Sequence, residues 1–178
     1  MENKEVNNNR LLVILGLIVA GMATRFIPHP PNATAIGAVA LFSGAFLRNN
    51  KLAILVPIVA MLISDIAIFG MHSSIWAVYT SFILITLLGT TLANRKGALP
   101  ILGASLASSI LFFVLTNFAV WLGNGFYPQN FAGLVECYAS AIPFFQNTLV
   151  GDLVFNTALF GSFYALQVYL PQLKAKNA

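Results

Sequence analysis

Charged side chains are scarce in this sequence. Asp, Glu, Lys and Arg make up 8% of its 178 residues, against about 25% in an ordinary soluble domain. With 58% apolar residues, too few charges remain to cover a soluble core with a solvated surface, which excludes most soluble folds. Cysteine is nearly absent. The lone Cys137 rules out an intrachain disulfide, and without a CxxC or a His/Cys cluster there is no structural zinc motif. A Walker A sequence, a Gly-rich dinucleotide turn and HExxH are all missing, so no nucleotide-hydrolysing, dinucleotide-binding or zinc-peptidase signature is present and no cofactor is expected. The net charge of +4 comes without a basic face or an RNA-binding aromatic motif, which argues against nucleic acid as a partner. The two halves share no motif, so an inverted-repeat transporter is not supported.

What the chain does have is apolar length. Six stretches, about 11–27, 33–47, 52–70, 75–93, 99–123 and 140–169, read as helices, because backbone exposed to lipid must satisfy its own hydrogen bonds. The expected fold is an all-α membrane protein with six transmembrane helices. Residues 1–10 form a polar N-terminal tail, 11–170 a single six-helix transmembrane domain and 171–178 a basic cytoplasmic tail. The second stretch is short, about 22 Å at about 1.5 Å per residue, against a hydrocarbon core of about 30 Å. The basic residues decide in its favour. Lys4, Arg10, Arg48, Lys51, Arg95, Lys96, Lys174 and Lys176 all fall on one side of a six-span chain, while the alternate loops carry no Lys or Arg. The positive-inside rule then places both termini in the cytoplasm. Lys4, Arg10 and the small residues Gly21-Met22-Ala23 mimic a cleavable secretory signal, but the apolar run continues through Phe26 and Ile27.

The remaining charges are informative. Arg25, Asp65, Glu136 and Asp152 lie in or above the outer half of the expected bundle, and so do the polar residues His29, Asn32, His72, Asn117, Asn124, Gln146 and Asn147. Thr148, Asp152 and Asn156 recur every four residues and share one face of the sixth helix. A carboxylate so deep faces a cavity or a partner rather than lipid. Arg25 pairs with Asp65 or with Asp152, and the sequence leaves both open. A single ion pair does not account for so many amides and two histidines on one side, so the preferred reading is an outward-facing polar pocket between helices 1, 3, 5 and 6. Its candidate substrate-binding residues are Arg25, His29, Asn32, Asp65, His72, Asn117, Glu136, Gln146, Asn147 and Asp152. Whether the histidines hold a metal is unknown, since spacing does not show convergence. Trp76, Trp121, Phe126 and Tyr127 match an interfacial aromatic belt. The segment NGFYPQNFAGLVECYA reads as the natural lid for the pocket, opposite the proline-stiffened PHPPN. Small residues line several helices: Ala33, Gly37, Ala40 and Gly44 on the second, Gly16 and Ala20 on the first, and Ala104/Ser108 and Ser105/Ser109 on the fifth. Close packing inside the bundle explains them more simply than docking of another subunit.

The run RFIPHPPNATAIGAVALFSGAF, with TNFAVWL, the GL-x-x-CY segment and IPFFQNTLVGDLVFNTALFG, resembles an uncharacterised family of small bacterial membrane proteins described as transport proteins. That family is similar to the substrate-binding S components of energy-coupling factor transporters. The resemblance implies an S-component-like six-helix subunit of the bacterial cytoplasmic (inner) membrane that binds a vitamin-like or metal substrate from outside, and an ATPase-driven transmembrane module as partner. It implies docking through small residues near the cytoplasmic end of the first helix, where Gly16 and Ala20 stand in place of the alanine pair typical of S components. Three functions follow for comparison. The first is solute binding and uptake, for a small vitamin-like or cationic ligand. The second is a non-catalytic accessory or assembly subunit of a larger membrane complex. The third and weakest is an intramembrane enzyme built on an Asp65–Asp152 dyad, since no nucleophile, base or orienting group is visible.

Overall fold

A computed structural model of the protein describes residues 8–47, 49–69, 74–95, 97–123 and 125–174. Those residues are all helical or in short connections, with no strand among them. The helices are α1 (Asn8–Ala23, extended by a 3-10 turn Thr24–Phe26), α2 (Ile36–Phe46), α3 (Asn50–Ser64, continuing as a π-helical turn Asp65–Phe69), α4 (Ile75–Thr90), α5 (Ala98–Gly123) and α6 (Phe131–Tyr169). Four of them are long and apolar enough to cross a membrane: α1 with its 3-10 turn, α3 with the start of its π turn, α5 and α6. The other two, α2 and α4, are shorter apolar helices.

The shortest helix is the centre. Every residue of α2 from Ile36 to Ala45 is buried, and α2 packs against each of the other five helices. A helix enclosed on all sides has no need of a polar face, and the sequence IGAVALFSGAF is apolar all round apart from Ser43. The Ser43 hydroxyl donates to the carbonyls of Ala40 (3.0 Å) and Ala53 (2.9 Å), which joins α2 to α3. Small residues set how close the neighbours come. A Cβ on Gly44 would overlap the Thr86 carbonyl of α4, and one on Gly89 would overlap the Leu41 carbonyl of α2. On the same face of α2, seven residues earlier, Gly37 sits against the Asp152 carboxylate of α6. The small-residue face of the second apolar stretch is therefore consumed by packing within the chain.

One end of the bundle is closed by aromatic rings. Phe42 and Phe46 of α2 meet Phe160 and Phe163 of α6 at centroid distances between 4.4 and 5.8 Å, and Arg10 lies over the Phe163 ring at 5.7 Å. Leu173, beyond α6, is buried and packs with α1, so the C-terminal segment begins as part of the packed structure. At the opposite end Arg25 meets Asp65. The start of α1 and the end of α6 thus lie together, and the ends of α1 and α3 lie together at the other extreme.

The expected lid after α5 needs correction. The connection between α5 (ending at Gly123) and α6 is short, and from Phe131 to Tyr169 the chain is helical. The Asn130 side chain accepts from the Gly133 amide at 2.9 Å and caps the new helix. Gly133 sits so close beneath the Pro128 carbonyl that a side chain would collide with it. Trp121 Nε1 donates to the same carbonyl at 2.9 Å, and Gln129 Nε2 donates back to the Trp121 carbonyl. Proline and glycine are confined to the tight turn, and the following FAGLVECYA contains nothing that prevents a helix. Pro143 lies inside α6, where it removes one amide donor without ending the helix.

The closest helix contact yields a stability test. Gly44→Ala or Gly89→Ala should lower unfolding stability in detergent by about 1–3 kcal/mol, the range for overpacked interiors. Gly16→Ala and Gly103→Ala, whose added Cβ would meet nothing within 4 Å, should leave the unfolding midpoint in place.

Candidate functional site

Beyond the N-terminal end of α2 the bundle encloses a cavity of about 420 Å³. Its walls come from the end of α1, the connection into α2, the end of α3, and from α4, α5 and α6. Five of the ten candidate residues line it: Arg25, His29, Asn32, Asp65 and Asp152. A smaller chamber of about 250 Å³ adjoins it, sharing Asn32, Val78, Phe112 and Thr148. Asn117 lines this second chamber, with its amide nitrogen donating to the Phe113 carbonyl at 2.8 Å.

The two acids of the cavity are treated differently. Asp65 is 2% exposed and is fully engaged: Arg25 Nη2 donates to Oδ1 at 3.0 Å and the Tyr79 hydroxyl donates to Oδ2 at 3.2 Å. Arg25 Nε also donates to the Ser64 hydroxyl, which in turn donates to the Met61 carbonyl at 2.9 Å. Asp65 opens the π-helical turn, a distortion that re-aims side chains and recurs at functional sites. Asp152 is 4% exposed and has no basic partner among the described residues. Its Oδ2 accepts from the Ser109 hydroxyl at 2.6 Å, and its Oδ1 faces the bare backbone of Gly37. Among the described residues the single ion pair is Arg25–Asp65. The choice left open by the sequence is therefore resolved toward Asp65, and the two carboxylates share no hydrogen bond.

Below Asp152 the polar stripe of α6 continues. Asn156 Nδ2 donates to the Ser105 hydroxyl at 3.0 Å, while Asn156 Oδ1 is buried with no partner among the described residues. Above it, Thr148 lines both chambers and donates to the Phe144 carbonyl at 3.0 Å. Asn147 points the other way and donates to the Pro31 carbonyl at 3.1 Å, which ties the connection between α1 and α2 onto α6. That connection turns at Asn32, whose φ of 64° is the left-handed conformation that asparagine tolerates better than most side chains. His29 Nδ1 lies 3.0 Å from the Pro30 carbonyl. The element positioned over the cavity is therefore the first connection, PHPPN, rather than the segment before α6.

The other candidates stand apart. Glu136 and Gln146 lie on exposed faces of α6 and do not line either chamber. His72 and Asn124 lie outside the described residues. Gly16 and Ala20 sit on the exposed side of α1, away from the cavity. Among the described residues no three His, Cys, Asp or Glu side chains converge as a metal site would require. Sequence reasoning missed Ser109, which reads as a packing residue yet holds Asp152, and Tyr79, which completes the shell of Asp65. It also missed Phe82 and Phe112, a tilted pair at 5.5 Å that forms part of the apolar wall. Nothing in their surroundings distinguishes them from the other phenylalanines of the chain.

Removing one partner from a buried ion pair leaves an uncompensated charge, at about 3–5 kcal/mol. Arg25→Met and Asp65→Leu should each lower the detergent unfolding midpoint accordingly, and combining them should recover most of the loss. Additive losses in the double variant would show that the pair is not a unit.

No functionally curated protein and no solved structure matches the chain. Its sequence does fit one family pattern over residues 5–173, nearly the whole length and all six helices. The chain belongs to the family of unknown function DUF6580.

Proposed function

We propose that this protein is an integral membrane subunit that binds a small solute in the cavity beyond α2 and takes part in its uptake. The observation that carries the reading is the cavity itself, about 420 Å³ with Arg25, Asp65 and Asp152 in its wall. A subunit whose only task is assembly has no use for a void lined by charged groups, which a packed apolar core would replace at lower cost. Ligand sites are concave, mostly apolar and furnished with a few orienting polar groups, and Met61, Val78, Phe82, Ile85 and Phe112 supply the apolar part. The chemistry suits a small vitamin-like or cationic molecule with an apolar body.

In this reading the six helices form a six-pass transmembrane bundle, α2 making its crossing together with the connection before it, both termini are cytoplasmic and the cavity opens outward. The protein is then a multi-pass component of a bacterial inner membrane, similar in plan to the S components of energy-coupling factor transporters. Two features support the topology. Arg10, Lys51 and Lys174 belong to the closed, aromatic end of the bundle and Arg25 to the cavity end, and the positive-inside rule assigns the end rich in basic residues to the cytoplasm. An ATPase-driven transmembrane module is the proposed energising partner, since the chain carries no nucleotide motif. Gly16 and Ala20 are its proposed contact, being exposed with no side chain of the bundle against Gly16. That same exposed face favours the second reading, an accessory subunit of a larger complex. No catalytic residue is assigned.

Two measurements test these statements. Mass spectrometry of small molecules released from the purified protein should find a compound enriched with the wild type and lost from Asp152→Ala, with both proteins eluting as the same monodisperse species. An identical small-molecule profile for the two would sink the assignment. For topology, in a Cys137→Ala background, Phe126→Cys should react with a membrane-impermeant maleimide in intact cells and Leu99→Cys only after permeabilisation. Both positions are well exposed, at 79% and 80%, and the reverse pattern would overturn the orientation.

A further inference from the structure

Resting on the solute-binding reading, we infer that the cavity takes an organic monocation, its charged nitrogen at Asp152 and its apolar or aromatic body along Phe82 and Phe112. The charges of the wall point there. It carries one arginine and two aspartates, and Arg25 is committed to Asp65 through a direct 3.0 Å contact. The second oxygen of Asp65 is occupied by Tyr79. One carboxylate is left over. Asp152 receives a single hydrogen bond, from Ser109 to Oδ2, and no basic side chain reaches it among the described residues. Its Oδ1 lies against the bare backbone of Gly37, where any side chain would collide with the carboxylate, and no side chain donates to it among the described residues.

A buried carboxylate lacking a counter-ion is costly, and a site containing one discriminates strongly for the ligand that supplies the missing charge. An inorganic ion fits the rest of the wall poorly. Metal ions require convergent oxygen, nitrogen or sulfur ligands, and the described residues hold no such cluster. The neighbouring surface is instead Met61, Val78, Ile85 and the tilted Phe82–Phe112 pair, which suits a body of carbon and ring atoms. Phenylalanine faces also attract cations, so the aromatic wall and the carboxylate favour the same ligand charge. The second chamber, lined by Phe113, Phe144 and Phe145, extends the apolar surface and gives room for a ligand longer than the first chamber.

The test reads the charge of the ligand separately from its existence. The compound released from the wild type and absent from Asp152→Ala should carry a protonated amine or a quaternary or heterocyclic nitrogen cation. A neutral or anionic compound would overturn this inference and leave the solute-binding reading intact. Release of no compound, together with no binding of the probes below, would remove both.

A matched probe set of tryptamine, tryptophol and indole-3-acetate shares one aromatic body and differs in charge. Titrated into the full-length protein in detergent, tryptamine should bind about tenfold or more tighter than tryptophol, as expected for a desolvated charge pair. In Asp152→Asn, which preserves shape, that preference should vanish while tryptophol affinity stays the same, showing that the cavity is still formed. Ser109→Ala, which keeps the carboxylate, should retain it. Equal or tighter binding of tryptophol or indole-3-acetate by the wild type, or a tryptamine preference that survives Asp152→Asn, would overturn the assignment.

Discussion

The structure depends on the shortness of α2. With 11 residues it covers about 16 Å, yet it is the axis against which every other helix packs. Its neighbours are longer, and α5 with 26 residues covers about 39 Å. Over the span of α2 the interior is filled, with Gly44 and Gly89 allowing backbone-to-backbone approach and the Phe42–Phe46–Phe160–Phe163 cluster sealing the far end. Past Ile36 the axis has no helix. The space is taken by the connection PHPPN and by the cavity, whose wall includes Thr34 and Gly37 from the start of α2. Lengthening α2 by a turn at its N-terminus would fill the site. The void is thus a product of helix length as much as of side-chain identity.

Two carboxylates placed in this void have different physical roles. Asp65 has both oxygens engaged, by Arg25 and Tyr79, and this cluster joins the ends of α1, α3 and α4. It is a structural staple at the rim. Asp152 is held by one hydroxyl from α5 and faces a glycine of α2. Its side chain joins nothing that the neighbouring Asn156–Ser105 hydrogen bond does not already join, since both connect α6 to α5. Stability alone therefore gives no reason for a charge at this position, and the physical cost of burying one is large.

Much of the plan was legible in the sequence because long apolar stretches impose strong patterns. Six apolar stretches correspond to six helices. The charges Arg25, Asp65 and Asp152 line one cavity, as expected of ionisable groups in so apolar a bundle. What stayed hidden depended on context rather than pattern. The sequence IGAVALFSGAF is equally compatible with a peripheral helix and an axial one, since both are apolar throughout. The serines of α5 carry no mark that separates Ser109, which holds a carboxylate, from Ser108, which donates to the carbonyl of Ala104 in its own helix. The segment after Pro128 looked like a lid because Gly, Pro and aromatic residues cluster there. Yet the prolines and glycines end at a cap, and Asn130 converts the remainder into helix. Glu136 was misplaced for the same reason, as a loop residue rather than one on the exposed side of α6.

The length of α6 also changes how the depth of the site is measured. Its 39 residues cover about 58 Å, nearly twice a hydrocarbon core of about 30 Å, so its two ends cannot both mark membrane boundaries. In the proposed orientation Arg10 marks the inner side and lies over Phe163, and Asp152 is about 16 Å further along α6 from that level. Arg25 is about 22 Å above Arg10, and Asp65 about 21 Å above Lys51, by the same rise per residue. Arg25 and Asp65 then stand toward the outer side, with Asp152 somewhat deeper, so the cavity wall runs from the outer end of the bundle toward its middle. In that orientation the first turns of α6, with exposed Glu136, project beyond the hydrocarbon, where such a side chain meets water at little cost. The cavity then meets the outer side at the PHPPN connection, whose His29, Pro31 and Asn32 line it. The position of the site, and not only its composition, is what makes exchange of a polar solute with the outside physically reasonable.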